Sequence, residues 1–466
     1  MADAHLSHGL KVRHLTMMGL GSAIGAGLFV GTGKAISAAG PAVLISYAIA
    51  GLVVVIVMSL LGEMAAAMPS SGAFSTYAEK GIGNWAGFAI GWTYWFMLIM
   101  VLGVEILAAT TIISTWAPSI SPWIIASTLI ALFTVINLFG VKQFGEMEFW
   151  FALIKVLAII AFLVVGVLLI AGIISGPDGM GLSRLIEGPG GFFPTGASGV
   201  AAGLLAVMFA FGGIEIITIA AAEATNPQDS IKRATASIMW RILVFYVGSV
   251  LVMLMVLPWN DPDLAEGSFV AVLNVAHIPG ASGIMEGVIV VALLSAFNAQ
   301  IYATSRMAYS LSERGVGPKA LMKVSGRNVP LIAVLISVFF SYVAVIAHTL
   351  DSSGTVMVTL LDAVGACLLI IWFFIALAQI RLRKTFERDG KLHMRTWLHP
   401  WLGIFVMFML VGFGILMLFD DVGRKNLLFG VAIFCTVVVV YFVRRIFTKG
   451  TTPQDGLEAP ANGQKQ

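Results

Sequence analysis

Ionisable side chains occur inside long apolar stretches of this chain, where they are costly to bury. Glu215, Glu105, Asp362 and Lys155 are each flanked by apolar residues. A charge at membrane depth is expensive enough that a functional role is the first hypothesis. For Glu215 the candidate roles are proton carrier, gate or substrate partner, and the alternative is a structural hydrogen bond. Glu105 and Asp362 are candidates to contact the distal end of a substrate.

Lys155 lies between Ile154 and Val156, deeper in an apolar stretch than the other cations. Burial at this depth disfavours a charged amine. A lysine that can lose its charge could act as an internal cation and couple transport to protons. The alternative is that the amine reaches back to the inner membrane surface.

Two glycine-rich segments interrupt apolar stretches far apart in the chain, at residues 21–27 and 211–215. A helix broken at membrane depth frees backbone groups that lipid cannot satisfy, so the break should line an enclosed polar cavity. Helical N–H groups that resume after Gly27 would attract a carboxylate. Carbonyls left near Phe209 and Gly212 would suit an ammonium group. The alternative is that the glycines only permit close helix packing.

The composition identifies the class of protein that must position these residues. Of 466 residues, 59% are hydrophobic and 11% are charged, which indicates a polytopic membrane protein. Twelve apolar stretches are candidate spans, near residues 15–38, 41–68, 85–114, 122–140, 149–174, 200–222, 238–257, 284–311, 331–350, 356–380, 400–419 and 427–447. Cys367 and Cys435 lie in apolar stretches without metal-ligand spacing. We therefore expect no metal, no cofactor and no nucleic-acid partner.

The distribution of Lys and Arg predicts the orientation. Most of the 27 Lys and Arg fall on one side of the twelve spans, notably in the segments 306–327 and 381–395, and the acidic stretch 261–263 falls on the other. The positive-inside rule places the basic side, with both termini, in the cytoplasm. Glu223 is expected at the cytoplasmic mouth beside Lys232 and Arg233.

The spans divide into two groups of five, near residues 15–174 and 200–380. An odd number of helices per group gives the groups opposite orientations, and the first helix of each carries a break, which is the pattern of an inverted repeat. The region 400–447 is then an accessory pair, at the periphery or between protomers of a homodimer. We expect residues 1–14 to be a cytoplasmic N-terminus and 448–466 a disordered cytoplasmic tail.

Several motifs resemble those of the bacterial amino acid permeases of the amino acid–polyamine–organocation superfamily, most closely the GABA permeases. The resemblance covers about residues 10–447. The motifs that carry it are residues 25–31 with 39–41, 62–65, 145–150 leading to Lys155, 218–223, 258–259 and 305–307.

The resemblance implies an all-α membrane protein of twelve transmembrane helices with a LeuT-type 5+5 inverted repeat. Helices 1 and 6 would be discontinuous, and two accessory helices would follow. It also implies proton-coupled uptake of an amino acid across the bacterial inner membrane. The partners would then be an amino acid, protons and lipid.

Position by position, the resemblance implies roles for the residues of the two breaks. The residues similar to the family's substrate-binding positions are Ala23, Ile24, Gly25, Ala26, Gly27, Phe209 and Gly212. Among them the amides of Ala26 and Gly27 would bind the carboxylate. The carbonyls of Ala23, Phe209 and Gly212 would face the amine, with Phe209 also an aromatic gate. Ala26 stands where some relatives have a hydroxyl, so the backbone must suffice there.

Glu105 and the segment 218–223 look most like the GABA permeases, and Glu105 joins the substrate-binding set. Lys155 and Glu215 match positions tied to proton coupling. We therefore predict a proton-coupled symporter of GABA or a similar small amino acid. The alternatives are a permease for neutral or aromatic α-amino acids, an exchanger, and a sensor that binds without transport. The sequence contains no convergent group of nucleophile, base and metal ligands that would indicate an enzyme.

Overall fold

The computed structural model describes residues 10–351, 355–419 and 421–447, apart from some individual side chains. Its regular elements are helices, connected by short loops and a few 3₁₀ turns. The helices are α1 Val12–Ala23, α2 Ala26–Phe29, α3 Gly31–Ala39, α4 Val43–Ala67, α5 Ala73–Gly81, α6 Asn84–Trp116, α7 Pro122–Leu138, α8 Val141–Ile170, α9 Ser183–Glu187, α10 Gly196–Ala210, α11 Ile216–Ala220, α12 Pro227–Val256, α13 Pro262–Val275, α14 Ala281–Glu313, α15 Leu331–Leu350, α16 Val356–Arg388, α17 Trp401–Met417 and α18 Asp421–Phe447.

Long apolar helices dominate, as expected for a membrane protein. Among the described residues, seven helical segments are long and apolar enough to cross a membrane, and four shorter helices are also apolar. Large apolar side chains such as Leu132, Val164, Phe339 and Phe408 are exposed on the outer faces. Outward-facing apolar side chains at this density fit a lipid environment and would be a liability in water.

Several predicted spans coincide with helices, while others differ at their ends. The stretch 331–350 is α15 from end to end, whereas α8 begins at Val141, ahead of the predicted start at 149. The acidic stretch 261–263 is the start of α13 rather than a loop. Asp261 caps that helix, because its carboxylate accepts a hydrogen bond of 2.9 Å from the amide of Asp263.

Helix α6 lies at the centre of the bundle. It packs against α14, α16 and α15, and α1 packs against α8 and α12. Helix α10 packs against α3 and α4. Helix α18 is peripheral, since only 11% of its most apolar stretch of 18 residues is buried.

Two helices stop inside the bundle. Helix α1 ends at Ala23 and α2 begins at Ala26, so Ile24 and Gly25 are non-helical. Helix α10 ends at Ala210, and α11 begins at Ile216 after a run of turns. These interruptions lie at the two glycine-rich segments, and they place free backbone groups within the packed interior.

Candidate functional site

The two interruptions contact each other. The hydroxyl of Ser22 donates a hydrogen bond of 2.9 Å to the carbonyl of Gly213. Gly213 has φ +96°, and a Cβ there would lie 2.7 Å from the carbonyl oxygen of Ser22. The second break therefore requires glycine both for its backbone conformation and for this close approach. Ser22 was not among the residues predicted from the sequence.

Gly27 and Gly25 have different reasons to be glycine. A Cβ on Gly27 would lie 2.5 Å from the Cα of Ala210, so Gly27 permits close helix packing. A Cβ on Gly25 would lie 2.5 Å from an oxygen of Glu105 and 2.9 Å from the Cβ of Ala296. The first break therefore combines close helix packing at Gly27 with close approach of the Glu105 carboxylate at Gly25.

Glu105 of α6 reaches the first break. Its carboxylate is 3% exposed, and its two oxygens accept hydrogen bonds of 3.1 and 3.2 Å from the amide of Ala26. A carboxylate therefore occupies the backbone donor that the sequence assigns to a carboxylate of the substrate.

Lys155 of α8 binds the other side of the same break. Its amine is fully buried and donates hydrogen bonds of 2.5 Å to the carbonyl of Gly21 and 3.1 Å to that of Ile24. These carbonyls form the negative end of α1, which favours a cation. Lys155 thus points into the bundle and does not reach the membrane surface.

Glu148 of α8 is a buried carboxylate that the sequence-based predictions missed. It accepts hydrogen bonds of 2.5 Å from the hydroxyl of Ser295 and 3.4 Å from the amide of Asn298. It also interacts electrostatically with Lys155, as does Glu105. Glu148 and Lys155 are two helical turns apart on one face, a spacing that could have revealed the pair had the span been predicted to begin earlier.

Glu215 is buried directly after the second break, ahead of α11, with 1% exposure. Neither of its carboxylate oxygens has a hydrogen-bond partner of ordinary geometry among the described residues. The hydroxyl of Tyr94, on α6, lies near it and interacts with it. A buried carboxylate without firm partners is poorly suited to bracing the broken helix.

Glu223 differs from its predicted surroundings. Lys232 and Arg233 are exposed, and Glu223 instead binds Arg306 at 2.9 Å and the hydroxyl of Tyr302 at 2.8 Å. The prediction was wrong because it considered only the cations nearest in sequence, whereas Arg306 lies 83 residues further along the chain. Helix α14 continues to Glu313, and this places Arg306 in the protein interior.

A small closed cavity lies between the two breaks. Its volume is about 10 Å³. Its lining residues are Ser22, Gly27, Met97, Val101, Glu105, Ala210, Gly212, Gly213, Gln300 and Val364. The side chains of Ala23, Phe209 and Asp362 are outside the described residues, so the predicted gate at Phe209 stays a prediction.

The fold and the site together define a helical multi-pass membrane protein with two broken helices around an enclosed polar centre. The chain matches the family described as amino acid permease over residues 14–455. It is 50% identical to the aromatic amino acid transport protein AroP of Corynebacterium glutamicum over 97% of this chain and 98% of that protein.

Two relatives carry a different name. The gamma-aminobutyric acid permease of Bacillus subtilis is 44% identical over 95% of both chains. That of Escherichia coli is 41% identical over 96% of this chain and 97% of its own. The chain belongs to the amino acid permease family. It is therefore a transporter and not an enzyme, as the sequence predicted.

Proposed function

We propose that this permease is a proton-coupled symporter that takes up GABA or a similar small amino acid. The observation that carries the proposal is the hydrogen bonding of the Glu105 carboxylate to the amide of Ala26 at 3.1 and 3.2 Å. That amide donates a hydrogen bond to a carboxylate in the protein interior, and an amino acid carrier needs such a donor. An amino acid carboxylate would bind the amides of Ala26 and Gly27 when the cavity opens.

The amine of the substrate would lie near the carbonyls of the second break. In this proposal the carbonyls of Ala23, Phe209 and Gly212 accept from the ammonium, and Glu105 lies beside the substrate. Support comes from the contact between the breaks through Ser22 and Gly213, because it brings the freed donors of one helix close to the freed acceptors of the other. A zwitterion would then be held by backbone groups of opposite polarity.

Lys155 and Glu215 would couple transport to protons. Lys155 ties together the carbonyls of Gly21 and Ile24, so a change in its charge would loosen the end of α1. Glu215 is buried, and neither of its carboxylate oxygens has a hydrogen-bond partner of ordinary geometry among the described residues, which lowers the cost of its taking up a proton. Both groups adjoin the breaks and can respond to the same movement.

Aromatic amino acids are the second candidate substrates. They are favoured by the 50% identity to a protein named for aromatic amino acid transport, whereas the relatives at 44% and 41% are named for GABA. An exchange mechanism is the second candidate mode. GABA separates its charges more widely than an α-amino acid, so competition between the two classes distinguishes these candidates.

The proposed transporter has twelve spans, arranged as two inverted repeats over about 15–174 and 200–380 with an accessory pair over 400–447. It lies in the bacterial inner membrane with residues 1–14 and 448–466 in the cytoplasm. The peripheral position of α18 leaves an apolar face for lipid or for a second copy. The bacterial origin of the relatives supports this location.

The test is uptake of radiolabelled GABA into proteoliposomes that contain the purified protein. An inward proton gradient drives the assay, and an ionophore that collapses the gradient is the control. Accumulation that the ionophore abolishes and that ω-amino acids compete best would support the whole proposal. Accumulation of labelled phenylalanine but not GABA would keep the proposed symport and assign it aromatic substrates instead of GABA. No movement of any amino acid would overturn it.

A further inference from the structure

Glu105 fills the position proposed above for the substrate carboxylate. Both of its oxygens lie within hydrogen-bond distance of the amide of Ala26, at 3.1 and 3.2 Å.

The amide of Ala26 needs a partner whenever the cavity is closed. The break between α1 and α2 removes its helical acceptor, and Ala26 is fully buried. Leaving a buried N–H group unpaired is energetically unfavourable. The cavity between the breaks has a volume of only about 10 Å³, which is at the lower limit of the roughly 10–15 Å³ that a single water molecule requires. Glu105 supplies the acceptor directly, at 3.1 and 3.2 Å.

The first break is shaped to admit Glu105. A Cβ on Gly25 would lie 2.5 Å from a Glu105 oxygen and 2.9 Å from the Cβ of Ala296. Any larger residue would push the carboxylate away from Ala26. The electrostatic attraction between Glu105 and Lys155 also draws the carboxylate toward the end of α1.

We propose that Glu105 is an internal substitute for the substrate carboxylate, which lets the empty carrier close and reorient. This inference rests on the proposed function. A substrate carboxylate displaces Glu105 from Ala26 when it binds. After the substrate leaves, Glu105 returns to the amide, and the closed state forms without a buried unpaired donor. A carrier lacking this acceptor would close readily only when loaded.

The proposal separates two modes of transport. Net uptake requires the empty carrier to return across its closed state, whereas exchange requires only the loaded carrier to do so. Removing the internal carboxylate should therefore lower net uptake more than exchange. A residue that merely maintains the fold would lower both together.

The experiment measures both modes for each variant in proteoliposomes with saturating labelled GABA, or labelled phenylalanine if that is what accumulates. Glu105→Met keeps the side-chain length without an oxygen, and Glu105→Gln retains one acceptor. The matched control is Glu286→Gln, which alters a carboxylate bound to the Trp116 indole away from the site. The ratio of net uptake to exchange within one preparation does not depend on the amount of folded protein.

We expect Glu105→Met to lower this ratio by about tenfold or more, the scale of a hydrogen bond to a charged group. Glu105→Gln should lower it less, and the control should match the wild type. An unchanged ratio in Glu105→Met would overturn the inference while leaving the proposed function intact. If that variant does not fold, Glu105→Ala decides by the same ratio. A wild-type protein with neither mode would overturn both proposals.

Discussion

Lys155 holds together the carbonyl end of α1, and it does so from a position with no access to solvent. Its amine is the donor to Gly21 and Ile24, and the carboxylates of Glu105 and Glu148 attract it. Without a cation, these carbonyls would lose their donor in the protein interior. The arrangement makes the geometry of the first break dependent on the charge of one side chain.

Replacing Lys155 with Ala should abolish accumulation driven by a proton gradient. Two buried carbonyls would lose their donor, at a cost of about 1–3 kcal/mol each, and the proposed titrating cation would be gone. The measurement is accumulation of labelled amino acid in proteoliposomes with an inward proton gradient. Lys142→Ala, at the exposed start of the same helix, is the control and should accumulate normally. Undiminished accumulation by Lys155→Ala would remove Lys155 from the coupling mechanism.

Glu215→Gln should flatten the pH dependence of uptake. The amide keeps the shape of the carboxylate but cannot exchange a proton, and it can still face the Tyr94 hydroxyl that lies near Glu215. The initial rate is measured across a series of external pH values at saturating substrate. A variant with the wild-type pH profile would show that Glu215 does not titrate during transport.

The short helix α2 and the residue before it shape the site through close contacts. The four-residue helix α2 begins at Ala26, and the residue before it, Gly25, has no room for a side chain beside Glu105 and Ala296. A methyl group there would force Glu105 away from the Ala26 amide. The start of α2 therefore depends on a glycine for reasons of space.

We expect Gly25→Ala to reduce uptake severely while the protein remains folded. The added Cβ would lie 2.9 Å from the Cβ of Ala296 and 2.5 Å from a Glu105 oxygen, so at least one helix must shift. Gly283→Ala is the matched control, because no atom lies within 4 Å of a Cβ there and alanine favours its helix by about 1 kcal/mol. Size-exclusion profiles report folding, and labelled uptake reports function. Normal uptake by Gly25→Ala would mean that Glu105 is free to move aside.

The predictability of these elements depended on the range of the interactions that form them. The two breaks could be located from glycines alone, because backbone freedom is a local property. Glu148 was missed since the apolar criterion placed its helix start too late, and the pairing of Glu223 with Arg306 was missed since the two lie 83 residues apart. The contact between Ser22 and Gly213 joins residues distant in sequence, and local patterns cannot supply such a pairing.

At the scale of the whole molecule, a buried ion pair joins segments that are distant in sequence. Glu223 and Arg306 interact at 2.9 Å with side-chain exposures of 1% and 2%. The backbone of Leu10 also pairs with this region, since its amide donates to the carbonyl of Glu223 at 3.2 Å and its carbonyl accepts from Thr225 at 3.1 Å. One cluster thus connects the segment before α1, the end of α11 and the helix α14.

Removing Arg306 should therefore destabilise the protein more than removing an exposed arginine. Arg306→Met would leave Glu223 as an uncompensated buried charge, which costs about 3–5 kcal/mol. Arg424→Met is the control, because Arg424 pairs with Asp421 on the surface and such pairs contribute little. Thermal unfolding in detergent should show a clear drop in midpoint for Arg306→Met and none for the control.

The double variant Glu223→Gln with Arg306→Met separates the cost of the orphaned charge from the value of the ion pair. It should recover much of the midpoint lost by Arg306→Met, because no unpaired charge remains in the interior. Recovered stability with accelerated release of substrate would assign the pair to closure of the site. If the double variant were as unstable as the single one, the loss would come from packing of Arg306 against the Tyr302 ring, whose centroid lies 4.1 Å from the guanidinium carbon. The ion pair would then not be what stabilises this cluster.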